Sequence, residues 1–141
     1  MPDYWLELPH LRQQEEDTCT PASVRMVLAF HGVQRQEREL AELLETKDGT
    51  AFSEIRKVES LGFDVWLGSG THDDLERIRD TGSPLIVPVQ NLCLPPFNNP
   101  GLHCLVVSGA TASEVAIYDP LRDTAPVLVS AAHFEALPLI R

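Results

Sequence analysis

The chain has 141 residues, 43% apolar and 23% charged, which suits one soluble globular domain over residues 1–141. Lys and Arg number 11 against 21 Asp and Glu, a net charge of −10; this argues against nucleic acid as a partner, because phosphate binding needs a basic patch. No stretch approaches the ~20 apolar residues of a membrane span, and Asp3, Glu7 and His10 interrupt the N-terminus where a signal peptide would be apolar, so the expected location is the cytoplasm.

Met1 to Asp17 is polar and mixed and reads as extended chain or loop. Thr18-Cys19-Thr20-Pro21 has the form of a helix entry, with Thr able to cap and Pro suited to the first turn. From Ala22, Val24, Val27, Leu28 and Phe30 recur at helical spacing until Gly32. His31 falls at the C-terminus of that helix, where a dipole or capping role is expected. A second helix is predicted from Gln36 to Thr46 on Leu40, Leu43 and Leu44. A third is predicted from Ser53, with Ile55, Val58 and Leu61 inside and Gly62 ending it.

Phe63 to Leu67 reads as a strand, and Thr71 caps a short helix carrying Leu75 and Ile78 up to Gly82. Pro84 to Gln90 is a β-type run whose Pro88 implies a sheet edge or a bulge. Asn91 to Gly101 is a Pro- and Asn-rich loop. Leu102 to Ala110 and Glu114 to Asp119 form a hairpin around a turn at Ala110 to Ser113. Val127 to Val129 is a last strand, and Ser130 caps a helix through Phe134. Helices first and strands second imply an α+β domain with an antiparallel sheet.

Cys19, Cys93 and Cys104 contain no CxxC pair, so three free thiols are expected; a Cys93–Cys104 disulfide would need an oxidising setting. His10, His31, His72 and His133 have no partners at metal-ligand spacing. Cys19 falls at a predicted helix N-terminus, where the helix dipole favours a thiolate, although the acidic run Glu15-Glu16-Asp17 opposes it. His103 and Asp119 are equidistant from position 111. A hairpin centred there sets them face to face, where a carboxylate orients an imidazole; a polar pair on a solvated face is the plain alternative. Gln13, six residues before Cys19, could help hold an oxyanion together with the Cys19 N–H, or could be an ordinary surface glutamine.

Gln13-x5-Cys19, the run Ala22 to Leu28, His103 with Val106 to Gly109, and Asp119-Pro120 together resemble the papain-like cysteine peptidases of the bacteriocin-processing (double-glycine leader) type, family thirty-nine among cysteine peptidases, and its stand-alone relatives. The resemblance spans residues about 10 to 125. It implies a papain-like α+β fold, with the nucleophile at a helix N-terminus ahead of an antiparallel sheet. It further implies Cys19 as nucleophile, His103 as general base and acid, Asp119 as orienting residue and Gln13 as oxyanion donor. No metal or organic cofactor is implied, and the partner is a peptide or protein substrate cleaved at a peptide or isopeptide bond. One departure stands out, because the family usually has Gly after the nucleophile and this chain has Thr20. The alternatives are acyl transfer, deamidation or a toxin effector on the same fold, and an inactive peptide-binding module, which Thr20 favours.

Overall fold

In the computed structural model, which describes residues 4–68, 70–90 and 102–135, the helices precede the strands, save one short helix at the end. α1 (Cys19–Phe30) starts on Cys19 itself, with Pro21 in the first turn, where its missing N–H leaves no intrahelical bond unmade. Thr18 stands before it without capping it. Its backbone (φ −106°, ψ 28°) lacks the extended conformation that turns a cap side chain onto the helix, and its hydroxyl bonds the Glu15 backbone and Glu37 instead. His31 closes the helix and Gly32 follows with φ +85°.

α1 is buried on two sides. Val24 and Leu28 pack against Leu40 and Leu44 of α2 (Glu37–Leu43) and its C-terminal cap, while Met26 packs against the sheet at Val106 and Tyr118. Each such side chain removed from water stabilises the fold by roughly 1.5–3 kcal/mol. The third helix differs in type from the expected α-helix: Phe52–Leu61 winds as a 3₁₀ helix. Phe52, Ile55, Val58 and Leu61 recur every third residue. A helix of three residues per turn aligns all four on the cluster around α1, whereas an α-helix would swing them progressively away.

The expected strand at Phe63 to Leu67 is not one. Burial alternates there, with Phe63, Val65 and Leu67 against the α1–α2 cluster and Trp66 exposed, but the segment joins no ladder. The period of two records a half-covered extended chain lying against the helical cluster, unpaired with any strand among the described residues. The helix expected from Thr71 to Gly82 is interrupted at Arg77 into α3 (His72–Glu76) and α4 (Ile78–Thr81). Thr71 donates its N–H to Asp74 at 2.7 Å, half of a capping box, and Gly82 ends α4 with φ +72°.

Four strands follow, β1 (Leu85–Gln90), β2 (Leu102–Ala110), β3 (Glu114–Tyr118) and β4 (Val127–Ser130), antiparallel and in sequence order. Pro88 lies on an edge strand, as a residue without an N–H must. The loop expected at Asn91 to Gly101, with Cys93, lies outside the described residues. α5 (Ala131–Glu135) is capped by Ser130, whose hydroxyl accepts the His133 N–H at 3.1 Å. Ile78, Ala131 and Phe134 cover the sheet face opposite α1, over Val89, Leu105, Val107, Val115 and Ile117. No helix among the described residues is long and apolar enough to cross a membrane.

The β2–β3 register departs from the hairpin drawn from the sequence. Val106 pairs with Tyr118 and Val107 with Ile117, but a bulge at Ser108 shifts the count so that Gly109 pairs with Ala116. Carried one step past Tyr118, this register sets Asp119 opposite Leu105, two residues from His103. A displacement of two preserves the face, so His103 and Asp119 meet diagonally and not directly.

Beyond the β1 pairing, the free side of β2 is taken by the N-terminal segment. Trp5 bridges Gly109, and the Leu6 N–H donates to Ser108 O at 2.9 Å. A Cβ on Gly109 would lie 2.6 Å from Trp5 Cα and closer still to Tyr4 O, both fixed backbone. We expect Gly109→Ala to lower unfolding stability by about 1–3 kcal/mol, measured as a reduced urea midpoint; an unchanged midpoint would refute the close approach.

Candidate active site

A helix begins with N–H groups that have no partner in the preceding turn, and Cys19 carries the first of them in α1. Its sulfur is half-buried and lies 4.0 Å from Thr20 Oγ1. Burial alone would raise the thiol pKa. The hydrogen bond and charge of His103, the backbone N–H of Cys104 and the Thr20 hydroxyl outweigh that and bring it below the ordinary thiol value. Cys104, by contrast, is buried and its thiol is driven far upward, burial being the main cause and the nearby Cys19 the second. Of these two cysteines, both free, only Cys19 sits where a thiolate is favoured.

His103 and Asp119 come together at the diagonal of the hairpin. His103 Nε2 is 2.6 Å from Asp119 Oδ1, with His103 only 3% exposed and Asp119 0%. Asp119 has further partners: Oδ1 accepts the Leu121 N–H at 3.0 Å, and Arg122 Nε stands 3.7 Å from Oδ2. With Nε2 given to the carboxylate, Nδ1 is the ring nitrogen left for Cys19. Burial pulls the imidazole pKa down, but the Asp119 and Cys19 hydrogen bonds and charges push it up to about 9.

Gln13 is tied to the same corner through its backbone, whose N–H donates to Pro120 O at 2.8 Å. Its side-chain Nε2 donates to Glu15 O at 2.7 Å and to Glu16 O at 3.3 Å, while Oε1 is buried with no hydrogen-bond partner among the described residues. Both amide hydrogens are thus directed at the loop leading to Cys19, and the longer bond is the weaker. His10 reaches the far side of the corner, with Nε2 2.6 Å from Arg122 O. No group of three or more His, Cys, Asp or Glu able to hold a metal ion occurs among the described residues.

One buried residue near the site escaped the reading of the sequence. Glu37 is 2% exposed, and its Oε2 accepts the Gln14 N–H at 2.8 Å and the Thr18 hydroxyl at 3.0 Å. It stands three residues before Leu40 and seven before Leu44, on the apolar face of α2. A carboxyl at an inward-facing helical position was the available signal.

The sequence profile of the Peptidase C39 family matches residues 7–137. Among solved structures, a protein of Bacillus anthracis described as a C39-like peptidase superposes with a TM-score of 0.75 at 21% identity, over 94% of this chain and 90% of that one. The peptidase domain of Streptococcus ComA, a bifunctional ABC transporter of a quorum-sensing pathway, gives 0.74 at 24% identity, over 95% and 91%. A double-glycine motif protease from an AMS/PCAT transporter, solved with its leader peptide, gives 0.57 at 16% identity, over 96% and 88%. No curated protein sequence matches. The helix-then-sheet architecture is therefore that of the papain-like C39 peptidase domains, and with the family profile covering nearly its whole length, this chain belongs to the peptidase C39 family and is a cysteine peptidase-like hydrolase.

Proposed function

We propose that the chain cleaves a peptide bond with Cys19 as nucleophile, His103 as general base and acid, Asp119 as the residue that orients the imidazole, and Gln13 as an oxyanion donor. The observation that carries this reading is the buried His103–Asp119 contact of 2.6 Å beside a thiol whose pKa is lowered by the same ring. The relative solved with a leader peptide supports an extended peptide as substrate and a Gly-Gly sequence as the first cleavage site to try.

The Cys19 thiolate attacks the carbonyl carbon, and the carbonyl π pair moves onto oxygen. That oxyanion meets the Cys19 N–H at the helix terminus and one Gln13 amide hydrogen, released from the 3.3 Å bond to Glu16 O. Collapse breaks the C–N bond as the His103 imidazolium protonates the departing amine. Water then gives a proton to His103, adds to the thioester and expels the thiolate, which restores the site.

The pair has a pH signature once the thiol is removed. Its titration opposes that of the ring, since a lowered thiol pKa adds stability as pH rises while a raised imidazole pKa subtracts it. In Cys19→Ala only the second effect remains. Stability should be whole below about pH 6.5 and decline above it, over a window that ends below the intact site's value of about 9 because the Cys19 hydrogen bond and charge are gone; the folded state gives up a proton that it holds more tightly than the unfolded chain. Urea unfolding across that range in Cys19→Ala should show the decline, and adding Asp119→Asn should flatten it. An equal slope with Asn at 119 would mean that the carboxylate does not hold the ring.

Iodoacetamide near neutral pH should alkylate Cys19 at least ~10 times faster than Cys104. An internally quenched Gly-Gly peptide should be cut by the wild type and not by Cys19→Ala, and Gln13→Ala should lose ~10²–10³ in kcat. Mass spectrometry should find two fragments whose masses sum to peptide plus water. A shift of roughly one dalton without a cut would replace hydrolysis by deamidation, and tight binding without turnover would replace it by a peptide-binding role.

A further inference from the structure

We propose that Glu37 is a positioning residue of the oxyanion side of the site: one oxygen, Oε2, holds both the residue after Gln13 and the residue before Cys19. It takes the Gln14 N–H at 2.8 Å and the Thr18 hydroxyl at 3.0 Å. The inference rests on the proposed roles of Gln13 and Cys19.

The loop between those two residues has few other anchors. Gln13 is fixed on one side by its N–H to Pro120 O at 2.8 Å. Its own side chain bonds only the loop, at Glu15 O and Glu16 O, so it goes wherever the loop goes. Thr18 bonds Glu15, again within the loop, and a further tie outward is exposed, Asp17 Oδ2 accepting the Asp48 N–H at 3.0 Å. The bonds from Glu37 therefore tie this segment to a different element, α2. Leu40 and Leu44, both fully buried, seat that element against α1. An open groove of about 360 Å³ runs along the loop, lined among others by Gln14, Thr18, Glu37 and Thr46. The other oxygen, Oε1, is buried with no hydrogen-bond partner among the described residues. Burying a carboxyl so incompletely satisfied opposes folding, which a leucine at this inward-facing position would not.

The role differs from that of the His103–Asp119 pair. Glu37 does not touch the thiol or the ring. It sets where the oxyanion donors stand while the Cys19–His103 contact is made from the sheet. Its loss should lower turnover and leave thiolate formation intact.

The experiment compares two reactions of Cys19. Alkylation by iodoacetamide needs the thiolate and no oxyanion hole, whereas cleavage of the internally quenched Gly-Gly peptide needs both. For Glu37→Ala, kcat should fall ~10²-fold with KM changed less than ~3-fold, while the alkylation rate and its pH midpoint stay within ~3-fold and ~0.3 units of wild type. Glu37→Gln keeps a carbonyl oxygen for both donors and should recover most of kcat. Unchanged kcat in folded Glu37→Ala overturns the proposal, and so does a parallel loss of alkylation, which would mark a general structural role. Should Glu37→Ala fail to fold, Thr18→Val decides: a kcat several-fold lower with unchanged alkylation supports the proposal, and unchanged kcat overturns it. A wild type that alkylates slowly at Cys19 and cuts no peptide overturns the proposed function itself, an outcome distinct from a loss confined to Glu37.

Discussion

The imidazole of His103 is shut away from solvent, where a positive charge is unfavourable, and the surrounding chain supplies the negative partners that reverse that balance. Asp119 holds one ring nitrogen at 2.6 Å and is itself wholly buried. It is kept in place by the Leu121 N–H and by Arg122. The result is a ring that stays protonated up to about 9 beside a thiol drawn the other way, each group favouring the charged form of the other. Removing the carboxylate would leave only burial and the sulfur to set the ring's charge, so much of the site's electrostatics depends on that one hydrogen bond.

The bond is made across a hairpin, yet its two arms are joined to the rest of the site by the N-terminal segment. Leu8 donates its N–H to Tyr118 Oη at 3.2 Å, Gln13 donates its N–H to Pro120 O, His10 contacts Arg122 O, and Arg12 pairs with Asp123. These contacts join residues more than a hundred positions apart, and they run past the strand end that carries Asp119. The segment that delivers Gln13 and Cys19 is thus laid directly along the segment that delivers Asp119. A polar stretch with no helical or strand period, which reads from composition as plain loop, is ordered by tertiary hydrogen bonds to backbone that lies far away in the chain.

What could be read beforehand followed from local chemistry. Pro21 and Gly32 bracketed α1, Ser130 capped α5, Gly82 closed α4, and two alternating runs around a turn made a hairpin. The failures were tertiary. Phe63 to Leu67 has the alternation of a strand because one side is covered, and alternation does not reveal whether the cover is a sheet or a pair of helices. The 3₁₀ winding of Phe52–Leu61 was present in the spacing of its four apolar residues, but three and four are hard to tell apart in ten residues. A turn displaced from its expected centre moved the hairpin register by three residues and the bulge at Ser108 moved it back by one, so His103 and Asp119 met on the diagonal and kept a common face. Glu37 was hidden by its charge, because a glutamate in the first turn of a helix is ordinarily a solvated residue favourable to the dipole.

Thr20 shows how a departure from a family pattern changes meaning once its side chain is placed. A residue larger than glycine after the nucleophile suggests an obstruction where substrate backbone would pass, and so a domain that binds without cutting. Thr20 is only 4% exposed, and its hydroxyl is 4.0 Å from Cys19 Sγ. The side chain is therefore turned inward, beside the Cys19 sulfur, and not out toward solvent. There it adds a donor that favours the Cys19 thiolate. Cys104 belongs to the same region, since Ser23 Oγ donates to its carbonyl and ties α1 to β2 close to Cys19. The bulk that a threonine brings in place of glycine is thus buried beside Cys19 and does not stand in solvent.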